Sequence, residues 1–162
     1  MLGTGAPSGG PGTSGPPVDI DFGLDLSRLA TGETAPGWVE IASADDACRM
    51  AVPPDWVDSG LPGHVLSPEI HVTAIVTNET IADWEDHLAA LQATYFTDGQ
   101  EVLVENDRLF LLRSTERGGA SHVLALNGGT SACLIVLAMD EAGIAQYAPI
   151  GVQILYTLAE IG

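Results

Sequence analysis

Residues 101–139 read EVLVENDRLFLLRSTERGGASHVLALNGGTSACLIVLAM. Four apolar runs of strand length, Glu101 to Glu105, Arg108 to Thr115, Ser121 to Leu126 and Ser131 to Met139, are separated by Asn106-Asp107, Gly118-Gly119 and Asn127-Gly128-Gly129. These breaks carry turn chemistry, because Asn, Asp and Gly tolerate the positive φ that tight hairpins need. A meander of four antiparallel strands follows. Its last run, residues 132–138, is apolar at every position, so it reads as a central strand buried on both faces.

Upstream, Trp38 to Ala42 and Cys48 to Val52 read as short strands, the second ended by Pro53-Pro54-Asp55-Trp56, since proline cannot donate to a ladder. His64 to Ser67 and Glu69 to Thr77 form one longer strand interrupted near Pro68. Asn78 is the expected N-cap of a helix running to about Tyr95, with Glu79 in its first turn. Ile81, Trp84, Leu88, Leu91 and Tyr95 make one apolar stripe at helical spacing, and Asp83, Glu85, Asp86 and His87 face water. Downstream of the meander, Ile150, Ile154, Leu155, Leu158 and Ile161 recur at helical spacing, with Pro149 expected in the first turn of a terminal helix. Strands in runs, rather than in βαβ alternation, predict the α+β class. The expected architecture is an antiparallel sheet of about six to seven strands with two helices packed on it, an α/β/α sandwich.

The chain of 162 residues has 22 Asp and Glu against 5 Arg, with no lysine, for a net charge of −17. Such a surface repels phosphate backbones and anionic lipid, so nucleic acid and direct membrane insertion are not expected, whereas a basic or apolar protein partner is. With 46% hydrophobic residues the chain still has matter for a core. Residues 1–17 are Gly, Pro and Ser-rich and read as a flexible arm. Residues 18–36 read as an extended arm with one candidate strand, because Val18, Ile20, Phe22, Leu24 and Leu26 alternate with polar residues or glycine. The sequence as written is soluble and carries no signal; an exported or lipid-anchored parent fits if a signal was removed ahead of the arm. Cys48 and Cys133 read first as buried free thiols, with a disulfide as the alternative.

No catalytic constellation emerges. His87 beside Asp83 and Asp86 reads as part of a solvated helix face, and His71 and His122 read as surface residues of half-exposed strands. Gly118-Gly119 and Gly128-Gly129 sit between strands, where a phosphate cradle needs a loop that opens a helix. No enzyme activity, cofactor or metal is expected.

The segment Cys48-Arg49-Met50-Ala51-Val52-Pro53-Pro54-Asp55-Trp56, a helix after the third strand, a meander, and the terminal Gln153-Ile154-Leu155-Tyr156-Thr157-Leu158 together resemble the PsbP/DcrB-like superfamily, which includes the Ran-binding Mog protein. The resemblance covers residues 38–162, with Tyr156-Thr157 departing from the commoner Ile-Leu-x-Ser-Leu ending, and it makes residues 37–162 a PsbP/DcrB-like globular domain. It implies a non-catalytic protein-binding, adaptor or chaperone-like domain; the alternative is an extrinsic structural subunit of an extracytoplasmic or membrane-attached complex, tethered by its arm. Trp38 and Trp56, as large apolar groups near predicted edges, and Ile20, Phe22 and Leu24 on the arm are the candidate partner-binding residues.

Overall fold

A computed structural model describes residues 23–94, 100–116 and 118–161. In chain order the elements are β1 (Val39–Ala42), β2 (Cys48–Val52), β3 (Val57–Asp58), β4 (His64–Leu66), β5 (Val72–Thr80), α1 (Trp84–Thr94), β6 (Gln100–Glu105), β7 (Leu109–Glu116), β8 (Gly119–Asn127), β9 (Ser131–Met139), α2 (Glu141–Tyr156) and β10 (Ala159–Glu160). The large sheet is wholly antiparallel, in the order β3-β4-β5-β9-β8-β7-β6, and a second sheet has the order β10-β2-β1. The α+β sandwich expected from the meander is thus present.

The all-apolar run of β9 lies at the centre, between β5 and β8, where both its faces are covered over most of its length; only Val136 and Ala138 of the run are part-exposed. Alternation divides its neighbours cleanly. Val72, Ala74 and Val76 of β5, Leu124 and Leu126 of β8, and Leu109 and Leu111 of β7 turn toward one core with Val152, Leu155 and Tyr156 of α2 and Met50 and Val52 of the small sheet. Phe110, Leu112, Val123, Ala125 and Leu134 turn the other way, onto Leu88 and Leu91 of α1. The predicted stripe of α1 is therefore the face it buries, with Ile81 leading into it and Trp84 half-buried.

Three expectations are corrected. Asn78 does not cap α1: β5 stays paired with β9 as far as Thr80, opposite Ser131, and the ladder outcompetes an early helix. Asp83 takes the role, its carboxylate accepting from the Asp86 amide at 2.9 Å. Nor does Pro149 open the terminal helix, which starts at Glu141 with Asp140 as N-cap, its side chain accepting from the Gly143 amide at 2.7 Å. Proline falls mid-helix, where the helix forgoes one backbone hydrogen bond. Gly143 and Gly151 let α2 lie close on the sheet: a Cβ at Gly143 would overlap the His71 carbonyl, and one at Gly151 would come within 3.2 Å of Leu137 Cδ2.

Third, the two cysteines are not free thiols. Cys48 of β2 and Cys133 of β9 form a disulfide with Cα atoms 5.7 Å apart, joining the two sheets through the core. Both residues are almost wholly buried.

Of the expected arm strand, Val18 to Phe22 lies outside the described residues; its described remainder enters a 3-10 turn over Leu26–Arg28. Leu29 and Ala30 are buried, and the amides of Ala30, Thr31 and Gly32 donate to the carbonyls of Leu155 and Tyr156, closing the C-terminal end of α2. Residues 24–32 are a strap on the domain.

Candidate functional site

β4 and β5 are not one interrupted strand but antiparallel partners, with Leu66 opposite Thr73, and the turn between them is where the backbone is most unusual. Ser67, itself buried, accepts at its hydroxyl from the amides of His71 (3.1 Å) and Val72 (3.0 Å). Closing that loop around Pro68 forces Glu69 and Ile70 to φ values of 64° and 58°. Left-handed backbone is uncommon away from glycine and costly for a β-branched residue. The consequence is that Ile70 stands outward, 65% exposed, the largest exposure among the big apolar side chains of the described residues.

His71 then ties this turn to α2. Its Nδ1 lies 2.9 Å from the Asp140 carboxylate, and its carbonyl accepts from the Asp140 amide at 3.1 Å. The hydrogen bond to Asp140 raises the His71 pKa above its ordinary 6.5. The same bond, followed by the one from the Gly143 amide, holds Asp140 below the ordinary 3.8.

These groups rim a cleft of about 460 Å³ at one end of the large sheet. Register supplies its floor: Ala138 of β9 lies opposite both Thr73 of β5 and Ser121 of β8, and Ser121 lies opposite Ser114 of β7. Directly opposed residues share a face, so four small side chains form one row across four strands. Ile70, His71, Asp140 and Glu141 stand around it.

The other histidines differ from expectation. His122 is 1% exposed, since β8 runs between β7 and β9 and this position points with Leu124 and Leu126 into the α2-side core. Its Nε2 accepts from Arg113 Nε at 3.0 Å; burial, then the Arg113 charge, push its pKa down to about 3, so the ring stays neutral. His87 is also drawn inward rather than solvated: its ring lies 6.0 Å from that of Trp84, and Nε2 is 3.7 Å from a Glu79 carboxylate oxygen.

Among the sequence candidates, Ile20 and Phe22 lie outside the described residues. Leu24 and Trp38 are half-buried against the larger core. Trp56 is 7% exposed and packs edge-on against Tyr147, with ring centroids 5.7 Å apart, so it closes the core rather than standing out as an anchor. None of the three lines the cleft. The residues missed were Ile70, Asp140 and Glu141; the local signal was Asp140-Glu141 ahead of an apolar helix, an N-cap pattern overlooked in favour of Pro149.

No family model matches the chain, and no curated protein matches it. Solved structures do. The Saccharomyces cerevisiae Ran-binding protein Mog1p is 16% identical, with a TM-score of 0.43 over 74% of this chain and 87% of that one. The PsbP of Synechocystis sp. PCC 6803, CyanoP, is 10% identical, with a TM-score of 0.46 over 80% and 96%. A Bacteroides thetaiotaomicron protein is 17% identical, with a TM-score of 0.50 over 76% of this chain but 48% of its own, so the chain spans about half its length. At such identities the likeness is one of fold alone. The chain shares its α+β fold with the Bacteroides thetaiotaomicron protein.

Proposed function

We propose that the domain is a non-catalytic protein-binding domain of adaptor type, and that it binds through the cleft end of its large sheet. The observation that carries this is Ile70, a large apolar side chain held 65% exposed by a costly backbone conformation at the mouth of a cleft. Strained residues persist where the surrounding structure over-determines them, and they cluster at ligand clamps. The test places a photo-crosslinking phenylalanine at Ile70 and, as control, at Val39 on the small sheet, which is 46% exposed. A protein adduct formed from Ile70 and absent from Val39 is expected. Equal labelling from both positions, or none from Ile70, would refute the assignment.

The second reading, an extrinsic subunit of an extracytoplasmic assembly, draws support from the Cys48–Cys133 disulfide. Disulfides persist in oxidising compartments and are rare in reducing ones. No helix among the described residues is long and apolar enough to cross a membrane.

A further inference from the structure

We propose that the cleft seats a cationic side chain of the protein partner, an arginine or lysine carried beside an apolar residue. The proposal rests on the protein-binding reading and names the chemistry of the bound segment. Its volume of about 460 Å³ suits one long side chain with its flanking backbone rather than a helix laid across the sheet. The floor supplies room, not charge, because Thr73, Ala138, Ser121 and Ser114 are all short.

Charge sits on the rim. Asp140, its side chain 55% exposed, and the exposed Glu141 line it, and Glu69, 77% exposed, stands just behind them with a carboxylate oxygen 3.7 Å from His71 Nε2. The four arginines among the described residues are engaged elsewhere: Arg28 with Glu33, Arg49 with Glu40, Arg108 on the Ala30 carbonyl and Arg113 on His122. The imidazole of His71 lies between two of these carboxylates, Nδ1 2.9 Å from Asp140 and Nε2 3.7 Å from Glu69, and the three carboxylates still outnumber it. A carboxylate rim on a chain of net charge −17 draws a cation toward the cleft and repels an anion, and Ile70 offers apolar contact to the stem or neighbour of the incoming side chain. Arginine and lysine meet both requirements at once, since each joins a charged head to an apolar stem.

The test follows backbone amide resonances of the full chain while N-acetyl-arginine amide is added, with N-acetyl-citrulline amide as the neutral isostere. Saturable shifts at Thr73, Ser121 and Asp140 are expected with arginine and not with citrulline, and they should shrink as salt is raised. The double variant E69Q/E141Q, whose unchanged unfolding midpoint would show that it still folds, should bind arginine about three- to tenfold more weakly. Equal shifts from citrulline, shifts outside the cleft, or no saturable shift would overturn the proposal. If the crosslink at Ile70 nevertheless forms, only the cationic occupant is lost and the protein-binding reading stands; if both fail, both are wrong.

Discussion

The two faces of the large sheet are built from alternate residues of the same strands, yet they end differently. On one face α2, the small sheet and the strap over residues 24–32 close over the core, and a disulfide fastens the layers. On the other, the 11-residue α1 covers the end at Phe110, Leu112, Val123 and Ala125, and the row Thr73, Ala138, Ser121 and Ser114 floors a cleft instead. Two histidines record the contrast. His122, sealed in the covered face, is held neutral, whereas His71, at the cleft, is held toward its charged form by an exposed carboxylate. Alternation decides which face a side chain joins, but what lies over that face decides whether it becomes core or site.

The sharpest test of the covered face is its fastener. The pair Cys48→Ala with Cys133→Ala opens a loop spanning 85 residues, and chain-entropy arguments put the loss at about 4–5 kcal/mol by urea denaturation. A loss below about 1 kcal/mol would mean that packing alone holds the layers together. Acid comes next. Because the folded pKa of His122 is depressed, its contribution is complete above the ordinary 6.5 and is lost as pH falls from there toward about 3. The His122→Gln variant keeps an acceptor for Arg113 but does not titrate, so its stability should fall less over that interval, by about 3–4 kcal/mol. Parallel acid curves for the two proteins would break the contrast between the histidines.

On the α1 side, Leu91→Ala should cost about 2–3 kcal/mol, the low end for a buried leucine, since α1 is short and can settle into the gap. A larger loss than that of the disulfide pair would reverse the ranking of the faces. At the cleft, Ile70→Gly should raise stability by about 1 kcal/mol, because glycine takes φ of 58° without strain, while crosslinking from a probe at neighbouring Glu69 falls. Stability gained with crosslinking unchanged would make the strained turn irrelevant to binding. The smallest effect concerns the His71–Asp140 pair. With His71 raised, its contribution is full below 6.5 and disappears as pH climbs through the folded value; with Asp140 lowered, its share is present above 3.8 and is lost on acidification below it. His71→Gln should therefore lower the urea midpoint in mildly acidic buffer and leave it unchanged in alkaline buffer, and the reverse order would contradict the assigned hydrogen bond.

The meander and the two-faced burial of β9 were legible because hairpin turns and period-two alternation are local signals. Element boundaries were less so: strand alternation runs on through Asn78, and ladder pairing with β9, a distant partner, settled the matter. Pro149 drew attention from the cap at Asp140 because proline favours first turns, yet close packing on the sheet through Gly143 and Gly151 carried the helix through it. The disulfide joins residues whose strands lie in different sheets, so nothing in their spacing revealed it. The cleft was hidden for the same reason. Ile70, Ser121 and Asp140 come from three separated segments, and the backbone strain at Ile70 follows from a hydroxyl three residues upstream.

The strap also has a mechanical meaning. It grips the C-terminal end of α2 at Leu155 and Tyr156, while the cleft lies at the other end of the same helix, beside Asp140 and Glu141. Sixteen helical residues at about 1.5 Å each set these points some 24 Å apart. Tension on the chain upstream of Leu24 is delivered to that far end, where it loads the amide-to-carbonyl bonds of Ala30, Thr31 and Gly32. The cleft and this point of loading therefore sit at opposite ends of one helix.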